Sequence, residues 1–422
     1  MKKPRILLCA GSSGSGKTLI TCGLLQVLKN KGITPASFKC GPDYIDPMFH
    51  TKVIGTRSRN LDTFFTKPEL TRYILAENSK DADIAVMEGV MGYYDGLGGT
   101  TTGASTYELA CHTGTPAILI VNCKGMSVSI VPFIKGFLEY KKDSRISGVI
   151  LNQMNGMLYP RVKKMIETEL NLPVAGYLPR VEDCVLESRH LGLIMPEEIK
   201  DFREKLERLA EVMEKTIDLD VLLKIADSAE ELSEEIPWSK DSDLEFRVKK
   251  SLRIGLARDE AFCFLYEDNL MLLKKMGAEI VPFSPLHDQH LPGQLDGLLL
   301  YGGYPELVAE QLEKNESMRE EIREMAEKGM PVIAECGGFM YLHEEMEDAF
   351  GVVRQGAGVI PGKVYKTNSL KRFGYIYAES KNGKAFGKPV PVSPAHEFHY
   401  YDSDSCGSDF MAKRSTQPSS VR

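Results

Sequence analysis

The sequence predicts an α/β protein with two units, each built around a largely parallel β-sheet. Short apolar runs bounded by Gly, Pro, Asp or Asn alternate with helical patterns, which is typical of parallel strands covered on both faces. The chain has 422 residues, which is long for a single core. A charged helical stretch followed by Pro237-Trp-Ser-Lys-Asp-Ser-Asp243 interrupts the series in the middle.

In the first half, apolar runs predict five strands, and the pattern Lys17–Lys31 predicts a helix after the first of them. The strands are expected at residues 5–10, 36–39, 84–87, 117–122 and 147–152. The stretch Glu197–Glu235 is charged and is predicted to be helical. We expect a first domain over residues 1–226 and a linker over residues 227–247.

A second strand and helix series begins at Leu252 and predicts a second domain over residues 248–422. Its helices are expected at about 266–276 and 306–328, and its strands at Leu252–Ala257, Glu279–Phe283, Gly297–Tyr301 and Pro331–Glu335. The tail from Asp402 to Arg422 is rich in Ser, Asp and Lys and is predicted to be loose.

Composition excludes several classes of protein. The formal net charge is −7, which argues against nucleic acid as a partner. No apolar run reaches the length of a membrane span, and the N-terminal apolar stretch is too short for a signal peptide, so we expect a cytoplasmic protein without a membrane partner. The nine cysteines include no C-x-x-C pair, so neither a zinc site nor a redox motif is predicted.

The run Gly11-Ser-Ser-Gly-Ser-Gly-Lys-Thr18 follows a predicted strand and opens a predicted helix, as a P-loop requires. Its backbone N–H groups would surround the phosphates of ATP. Lys17 would reach the β- and γ-phosphates, and the Thr18 hydroxyl would bind Mg²⁺. The phosphate-binding residues are therefore predicted to be Gly11, Ser12, Gly14, Ser15, Gly16, Lys17 and Thr18.

Four acidic residues follow predicted strands near this loop, where ligands bind in open parallel sheets. Asp43 and Asp46 belong to the run Lys39-Cys-Gly-Pro-Asp-Tyr-Ile-Asp-Pro47, and Glu88 ends a strand where a Walker-B-like acid would stand. Carboxylates at these positions could hold Mg²⁺ or orient a substrate, although a solvated turn would also explain the two aspartates. Asp95 lies in a glycine-rich loop and is explained equally well by a function or by exposure.

Cys336 lies between a predicted strand and a predicted helix in the run Glu335-Cys-Gly-Gly338, which is typical of a nucleophile elbow. The helix N-terminus is expected to lower the pKa of the thiol. The N–H of Gly337 could donate to an oxyanion, and Gly303 in the glycine pair after another strand could supply a second donor. A base is also required, and His396 and His399 are both possible.

Taken together, these motifs resemble the cobyrinate/hydrogenobyrinate a,c-diamide synthase family of cobalamin biosynthesis. The resemblance covers nearly the whole chain to about residue 401, through Gly11–Thr18, Lys39–Pro47, Glu88–Asp95, Tyr301–Glu306, Ala334–Leu342, Arg372–Tyr375 and His396–Tyr400. Ser12 follows the first glycine, where ATPases of the division-site and chromosome-partition family carry lysine. The loop is therefore more similar to the dethiobiotin-synthetase type, and the second domain resembles a class I glutamine amidotransferase.

The resemblance implies an amidoligase domain that uses ATP and Mg²⁺, and a glutaminase domain that supplies ammonia. The c- and then the a-carboxylate of the tetrapyrrole would be phosphorylated and amidated. The family pattern makes Cys336 the nucleophile and His399 its base, and Tyr401 stands where other amidotransferases carry glutamate, which favours a dyad. Asp46 and Glu88 would serve phosphorylation and the metal. The corrinoid would face Asp43, Tyr44 and Asp95.

The implied partners are a tetrapyrrole, glutamine and ATP, and the chain would be a monomer or a homodimer. The family usually continues for several tens of residues after this histidine, so we expect an amidotransferase domain truncated at its C-terminus, at Arg422. Two alternatives share these motifs. One is a diamide synthase acting on nickel-sirohydrochlorin, and the other is a non-catalytic P-loop ATPase with a degenerate amidotransferase module.

Overall fold

The computed structural model describes residues 2–181, 202–232, 251–370 and 372–415. These residues form two compact units, which divide between residue 232 and residue 251. Each unit contains a parallel sheet and the helices that connect its strands. The predicted α/β class is therefore confirmed.

In the first unit, strands and helices alternate along the chain, and two further helices follow the last strand. Its strands are β1 (Arg5–Ala10), β2 (Pro35–Cys40), β3 (Ser58–Leu61), β4 (Ile84–Glu88), β5 (Ala117–Asn122), β6 (Ile146–Asn152) and β7 (Val174–Leu178). Its helices are α1 (Lys17–Asn30), α2 (Ile45–Phe49), α3 (Pro68–Ser79), α4 (Thr106–Thr113), α5 (Ile130–Glu139), α6 (Tyr159–Leu170), α7 (Phe202–Thr216) and α8 (Leu219–Asp227).

The seven strands form one parallel sheet in the order β3-β2-β4-β1-β5-β6-β7. All six residues of β1 are buried, because the strand is central and helices cover both faces. The chain order changes direction beside β1, so the loops after β1, β2 and β4 open at the same carboxyl edge. This arrangement brings the P-loop and the predicted acidic residues to one end of the sheet.

The first unit continues into the segment that the sequence predicts as linker. Leu232 is buried in the same core as the sheet. The buried Arg5 guanidinium donates to the Glu230 carbonyl at 2.6 Å. Residues 228–232 therefore pack on the first unit. The remainder of the predicted linker, from residue 233, lies outside the described residues.

The second unit begins with a parallel αβ arrangement and continues with strands that pair mostly antiparallel, apart from the parallel pair β12 and β14. Its helices are α9 (Glu267–Lys275), α10 (Ala309–Lys314), α11 (Glu316–Glu327) and α12 (Gly337–Tyr341). Its first strands are β8 (Arg253–Ala257), β9 (Glu279–Phe283), β10 (Gly297–Leu300) and β11 (Val332–Ala334). They are followed by β12 (His343–Glu347), β13 (Val353–Gln355), β14 (Ile360–Lys366), β15 (Arg372–Ser380), β16 (Lys384–Ala385), β17 (Lys388–Pro389), β18 (Ser393–His399), β19 (Tyr401–Ser403) and β20 (Phe410–Arg414).

Four sheets result, beginning with the parallel sheet β11-β10-β8-β9 that carries Cys336 at the end of β11. The others are β13-β12-β14-β19, β18-β15-β20 and the hairpin β16-β17. The prediction of a loose tail is wrong for its described part, because β19 pairs with β14 and β20 pairs with β15. Main-chain hydrogen bonds hold β20 although all five of its residues are exposed, and composition gives little sign of such a strand.

Among the described residues, no helix is long and apolar enough to span a membrane.

Arg5 offers a test of how the first unit is held together. Its guanidinium donates to Thr115 Oγ1 at 3.0 Å and to the carbonyls of Lys3, Thr113 and Gly114 besides that of Glu230. Arg5→Met would leave several buried acceptors unpaired, so we expect the free energy of unfolding of this unit to fall by about 3 kcal/mol.

Urea unfolding followed by hydrogen exchange of peptides from residues 2–232 would measure this loss. Arg57→Met is the matched control, because Arg57 is exposed and lies 4.0 Å from Asp81. An equal, small loss in both variants would contradict the structural role of Arg5.

Candidate active sites

The P-loop connects the buried strand β1 to helix α1, as predicted. Gly16 precedes the helix at φ 92°, in the left-handed region that favours glycine. A Cβ at Gly16 would also overlap the Asn152 amide, whose Nδ2 donates to the Ser15 carbonyl at 2.8 Å. The sheet therefore constrains the loop from the side, through the end of β6.

Lys17 reaches across the mouth of the loop. Its Nζ donates to the carbonyls of Met91 at 2.6 Å and Ser12 at 3.1 Å. The ammonium thus lies between the P-loop and the loop after β4. Burial, and then repulsion by Lys39, lower the pKa of Lys17. Both partners are neutral carbonyls. If Lys17 turned to a phosphate, it would therefore leave no unpaired charge behind.

Lys39, at the end of β2, is the centre of the charge cluster beside the P-loop. Its Nζ lies 2.8 Å from Glu88 Oε1, 3.9 Å from Asp43 Oδ2 and in direct contact with Asp46 Oδ2. Thr18 Oγ1 donates to the same Glu88 oxygen at 2.5 Å. Three predicted site residues, Thr18, Asp46 and Glu88, therefore meet around one buried lysine, with Asp43 at its edge.

The charges in this cluster shift one another strongly. Burial opposes the charge on Lys39, but attraction to the three carboxylates outweighs it and raises the pKa of Lys39 well above its usual value. Burial and repulsion by Asp46 raise the pKa of Asp43 and of Glu88 to about 7. Burial acts in the same direction on Asp46, but attraction to Lys39 lowers its pKa overall. One of the carboxylates is thus firmly ionised, and two hold their protons more tightly than usual.

Two carboxylate oxygens in this cluster fit a divalent cation. Asp46 Oδ1 and Glu88 Oε2 are buried without a hydrogen-bond partner, whereas their sister oxygens contact Lys39. Magnesium prefers hard oxygen ligands, and commonly takes one or two carboxylates together with substrate phosphates. Within the described ranges, no three His, Cys, Asp or Glu side chains form a metal site by themselves. The Thr18 hydroxyl and the phosphates of a nucleotide would have to complete the set.

The remaining predicted residues of this site lie around its rim. Asp43 Oδ1 accepts from the Ile45 N–H at 2.8 Å and so holds the start of α2. Tyr44 lies just before the same helix and is partly exposed. Asp95 Oδ2 accepts from the Gly92 N–H at 3.0 Å, within the loop that Lys17 also contacts. In the described state, Asp43 and Asp95 both shape the loops to which they belong.

In the second unit, Cys336 has the geometry of a nucleophile elbow. It stands between β11 and α12 at φ 48° and ψ −112°, a conformation that a residue with a Cβ rarely adopts. The N–H groups of Gly303 and Gly337 both donate to its thiol. Gly303 has to be glycine, because a Cβ there would overlap the Ala261 carbonyl. The two predicted oxyanion donors therefore converge on the predicted nucleophile.

The expected lowering of the Cys336 pKa is wrong. Cys336 is exposed as a residue, but protein atoms crowd its thiol, and this desolvation together with the Glu306 charge raises the pKa of Cys336 to about 11. The two N–H donors act in the opposite direction but are outweighed. Helix α12 has only five residues, so its dipole is small. The thiol is therefore held in its protonated form at neutral pH.

The two candidate bases stand on β18, and no described hydrogen bond joins either of them to Cys336. His399 Nδ1 lies 2.6 Å from the Tyr401 carbonyl, which can only accept, so this nitrogen carries the proton and Nε2 is the free base. His396 lies edge-on to Tyr375 and Phe373, and burial lowers its pKa to about 4. Of the two, His399 has the tautomer that a general base requires.

Two further residues at these sites were not assigned a role from the sequence. Lys39 lies at the centre of the charge cluster. The only sign of this role in the sequence is a lysine near the end of an apolar strand. Glu306 follows the Gly302-Gly303 pair, and burial raises the pKa of its carboxyl to about 7. Its charge acts on Cys336, and its main-chain carbonyl accepts from Ala349. The sequence alone did not indicate that this glutamate faces the thiol.

Two protein families match successive parts of this chain. The family described as the CobQ/CobB/MinD/ParA nucleotide binding domain matches residues 6–193. The family described as the CobB/CobQ-like glutamine amidotransferase domain matches residues 253–413. The predicted pairing of a nucleotide-binding domain with an amidotransferase domain is thereby confirmed.

Three of the similar proteins are named cobyrinate a,c-diamide synthase. The one from Listeria innocua is 40% identical over 398 residues, which is 94% of this chain and 86% of that protein. The one from Thermoplasma volcanium is 40% identical over 94% of this chain and 86% of that protein. The one from Salmonella typhimurium is 38% identical over 94% and 85%. The predicted family resemblance is confirmed.

The raised pKa of Cys336 can be tested by alkylation. Because only the thiolate reacts, we expect iodoacetamide to label Cys336 slowly near neutral pH and faster as the pH approaches about 11. Glu306→Gln removes a negative charge that disfavours the thiolate, so labelling should be a few-fold faster from about pH 7 to about pH 10. Peptide-resolved mass spectrometry separates Cys336 from Cys406, which is the other exposed cysteine among the described residues.

The control for this experiment is Glu310→Gln, which removes an exposed carboxylate that pairs with Lys314. It should leave the labelling rate unchanged. Wild-type-like labelling of Glu306→Gln would show that its charge does not act on the thiol.

Proposed function

Because the chain belongs to the cobyrinate a,c-diamide synthase family, a family of glutamine-hydrolysing ligases, we propose that it amidates the c- and a-carboxylates of cobyrinate. ATP would activate each carboxylate as an acyl phosphate, and glutamine would supply the ammonia. A carboxylate and ammonia do not condense in water without such activation. One chain with a phosphate-binding loop and a separate thiol site accounts for both requirements.

The observation that carries the proposal is the charge cluster beside the P-loop. A loop for phosphate binding alone would not need Lys39, Asp46 and Glu88 buried together at the ends of β2 and β4. Transfer of a phosphoryl group to a carboxylate brings several negative charges to one point, so catalysis depends on positioned charges. The non-catalytic alternative leaves this cluster, and the convergence of two N–H groups on Cys336, without a purpose.

In the first unit, Lys17 would leave the Met91 and Ser12 carbonyls and bind the β- and γ-phosphates. Thr18, Asp46 and Glu88 would hold Mg²⁺, which when bound neutralises charge on the phosphates and the carboxylate. Lys39 lies between Asp46 and Glu88, where it would either stay or turn its ammonium to the incoming carboxylate. Asp43, Tyr44 and Asp95, at the rim, are the proposed contacts of the tetrapyrrole.

In the second unit, His399 Nε2 would take the thiol proton, and Cys336 Sγ would attack the γ-carboxamide carbon of glutamine. The N–H groups of Gly303 and Gly337 would then hydrogen-bond the oxyanion that forms. His399 would return the proton to the leaving nitrogen, so that ammonia departs and a thioester remains. Water, deprotonated by the same imidazole, would hydrolyse the thioester to glutamate and restore the thiol.

The first test measures diamide formation with each of two nitrogen sources, glutamine and ammonium. Purified protein with ATP, Mg²⁺, glutamine and cobyrinate should give a product that mass spectrometry identifies as a diamide. Cys336→Ala should lose this activity with glutamine and keep it with high ammonium, because the thiol only liberates the nucleophile. Loss with both nitrogen sources would make Cys336 structural. A diamide formed from nickel-sirohydrochlorin and not from cobyrinate would refute the proposed substrate.

The second test separates the metal-facing acid from the rim acid. Glu88→Gln should lower the turnover number, measured with ammonium, by about a hundredfold, which is the scale for losing one positioned electrostatic group. Its Michaelis constant for the tetrapyrrole should change far less, because the loss is felt in the transition state. Asp43→Asn should instead raise that Michaelis constant. If Glu88→Gln keeps its turnover and only binds the tetrapyrrole more weakly, Glu88 is a substrate contact.

A further inference from the structure

His50 lies next to Glu88 of the charge cluster and has no role in the reaction described above. It begins a π-helical turn, His50–Ile54, that continues from α2, and its side chain is completely buried. Its Nδ1 lies 2.8 Å from Ser37 Oγ on β2. Its Nε2 lies 3.7 Å from Glu88 Oε2. The ring thus stands between a buried hydroxyl and the carboxylate proposed to face the metal.

In the part of the chain that the structure describes, two buried atoms without a hydrogen-bond partner, His50 Nε2 and Glu88 Oε2, are separated by this distance of 3.7 Å. Buried polar atoms are almost always hydrogen-bonded, so a pair left open at this place requires an explanation. The distance exceeds a hydrogen bond by less than an ångström, which a small rotation of the carboxylate would close.

The tautomer of His50 follows from the Glu88 carboxylate beside its Nε2 and from Asp46, whose charge also favours a proton on the ring while Lys39 opposes it. A bare Nε2 lone pair would point at a carboxylate oxygen and be repelled by it, whereas an N–H there would be attracted. The proton therefore belongs on Nε2, and Nδ1 accepts from the Ser37 hydroxyl. Once the 3.7 Å between Nε2 and Oε2 closed to a hydrogen bond, hydroxyl, imidazole and carboxylate would form a directed chain from Ser37 to Glu88. The opposite face of Glu88 already receives Thr18 and Lys39.

We propose that His50 is a positioning residue for Glu88, whose carboxylate it orients from behind by donating from Nε2 to Oε2. This inference rests on the proposed function, since it assumes that Glu88 faces the metal of a bound nucleotide. Ser37 holds the imidazole in the tautomer that can donate. Each carboxylate oxygen has two lone pairs, so Oε2 can accept from His50 and still bind the cation. With Oε2 held in this way, the carboxylate presents one geometry to the cation, and Thr18 can turn its hydroxyl from Oε1 to the same cation. Groups that orient a metal ligand in this way commonly change metal affinity by about 10–100-fold when removed.

Two substitutions at His50 separate its two contacts. In His50→Asn, the amide can replace Nδ1 and keep the contact to Ser37, but nothing reaches Glu88. In His50→Gln, the longer amide can replace Nε2 and keep the donor to Glu88. We expect Mn²⁺ affinity, measured by electron paramagnetic resonance with a non-hydrolysable ATP analogue, to fall about tenfold or more in His50→Asn. It should stay within about threefold of wild type in His50→Gln.

Three controls make the result specific. Nucleotide affinity without a divalent ion and glutamine hydrolysis should be unchanged in both variants, because neither measurement depends on the orientation of Glu88. Ser37→Ala removes only a hydroxyl and should weaken Mn²⁺ affinity by an intermediate amount even if the His50 variants fold poorly. Wild-type Mn²⁺ affinity in His50→Asn or in Ser37→Ala, or equal damage in His50→Asn and His50→Gln, would overturn the proposal.

The same titration distinguishes this inference from the proposed function. Glu88→Gln should weaken Mn²⁺ binding at least as much as His50→Asn. If Glu88→Gln binds Mn²⁺ normally, the metal assignment of the proposed function fails and the role of His50 fails with it. If Glu88→Gln is impaired and His50→Asn is not, the metal assignment stands and only the inference about His50 is lost.

Discussion

The ammonium of Lys39, held between the buried carboxylates of Asp46 and Glu88, is the interaction around which the nucleotide site is arranged. Two carboxylates this close in a dry environment would repel each other, and each would favour its protonated form. A single buried cation lets them remain together. The register of the sheet makes this possible, because Lys39 on β2 and Glu88 on β4 are direct neighbours across the parallel ladder.

The same register ties the cluster to the P-loop. Glu88 is also the neighbour of Leu8 on β1, so the acid ends its strand two residues before β1 ends and the P-loop begins. Thr18, at the start of α1, then reaches Glu88 with its hydroxyl. A buried strand on either side leaves these groups little freedom to move. Preorganised charge of this kind is what transfer of a phosphoryl group to a carboxylate needs.

The thiol site of the second unit differs in its electrostatics, because no buried cation offsets the negative charge near Cys336 among the described interactions that act on its thiol. Cys336 is held in a strained backbone conformation with two N–H groups aimed at its sulfur, yet its thiol is harder to deprotonate than a free cysteine. Desolvation and the charge of Glu306 keep the resting thiol protonated and therefore poorly reactive. A positively charged group of the substrate near Glu306 would relieve this repulsion.

Local signals in the sequence were sufficient for much of this description. Strand β9 runs from Glu279 to Phe283 as predicted, and α1 ends one residue before its predicted end, because apolar periodicity and bounding glycines depend only on neighbouring residues. The P-loop and the elbow are likewise contiguous motifs, and the family resemblance rests on them. Strand β20 was missed, since it is held by pairing with β15 and by no apolar pattern of its own.

What only the tertiary structure decided are the properties that arise between distant segments. The role of Lys39, the approach of Glu306 to Cys336 and the raised pKa of that thiol all depend on burial and on charges brought together by folding. The sequence placed a carboxylate at Glu88 and a histidine at position 50, but it could not show that they face each other in a dry core. Shifts in pKa depend on the distance between charges and on desolvation, and the order of residues along the chain gives neither quantity.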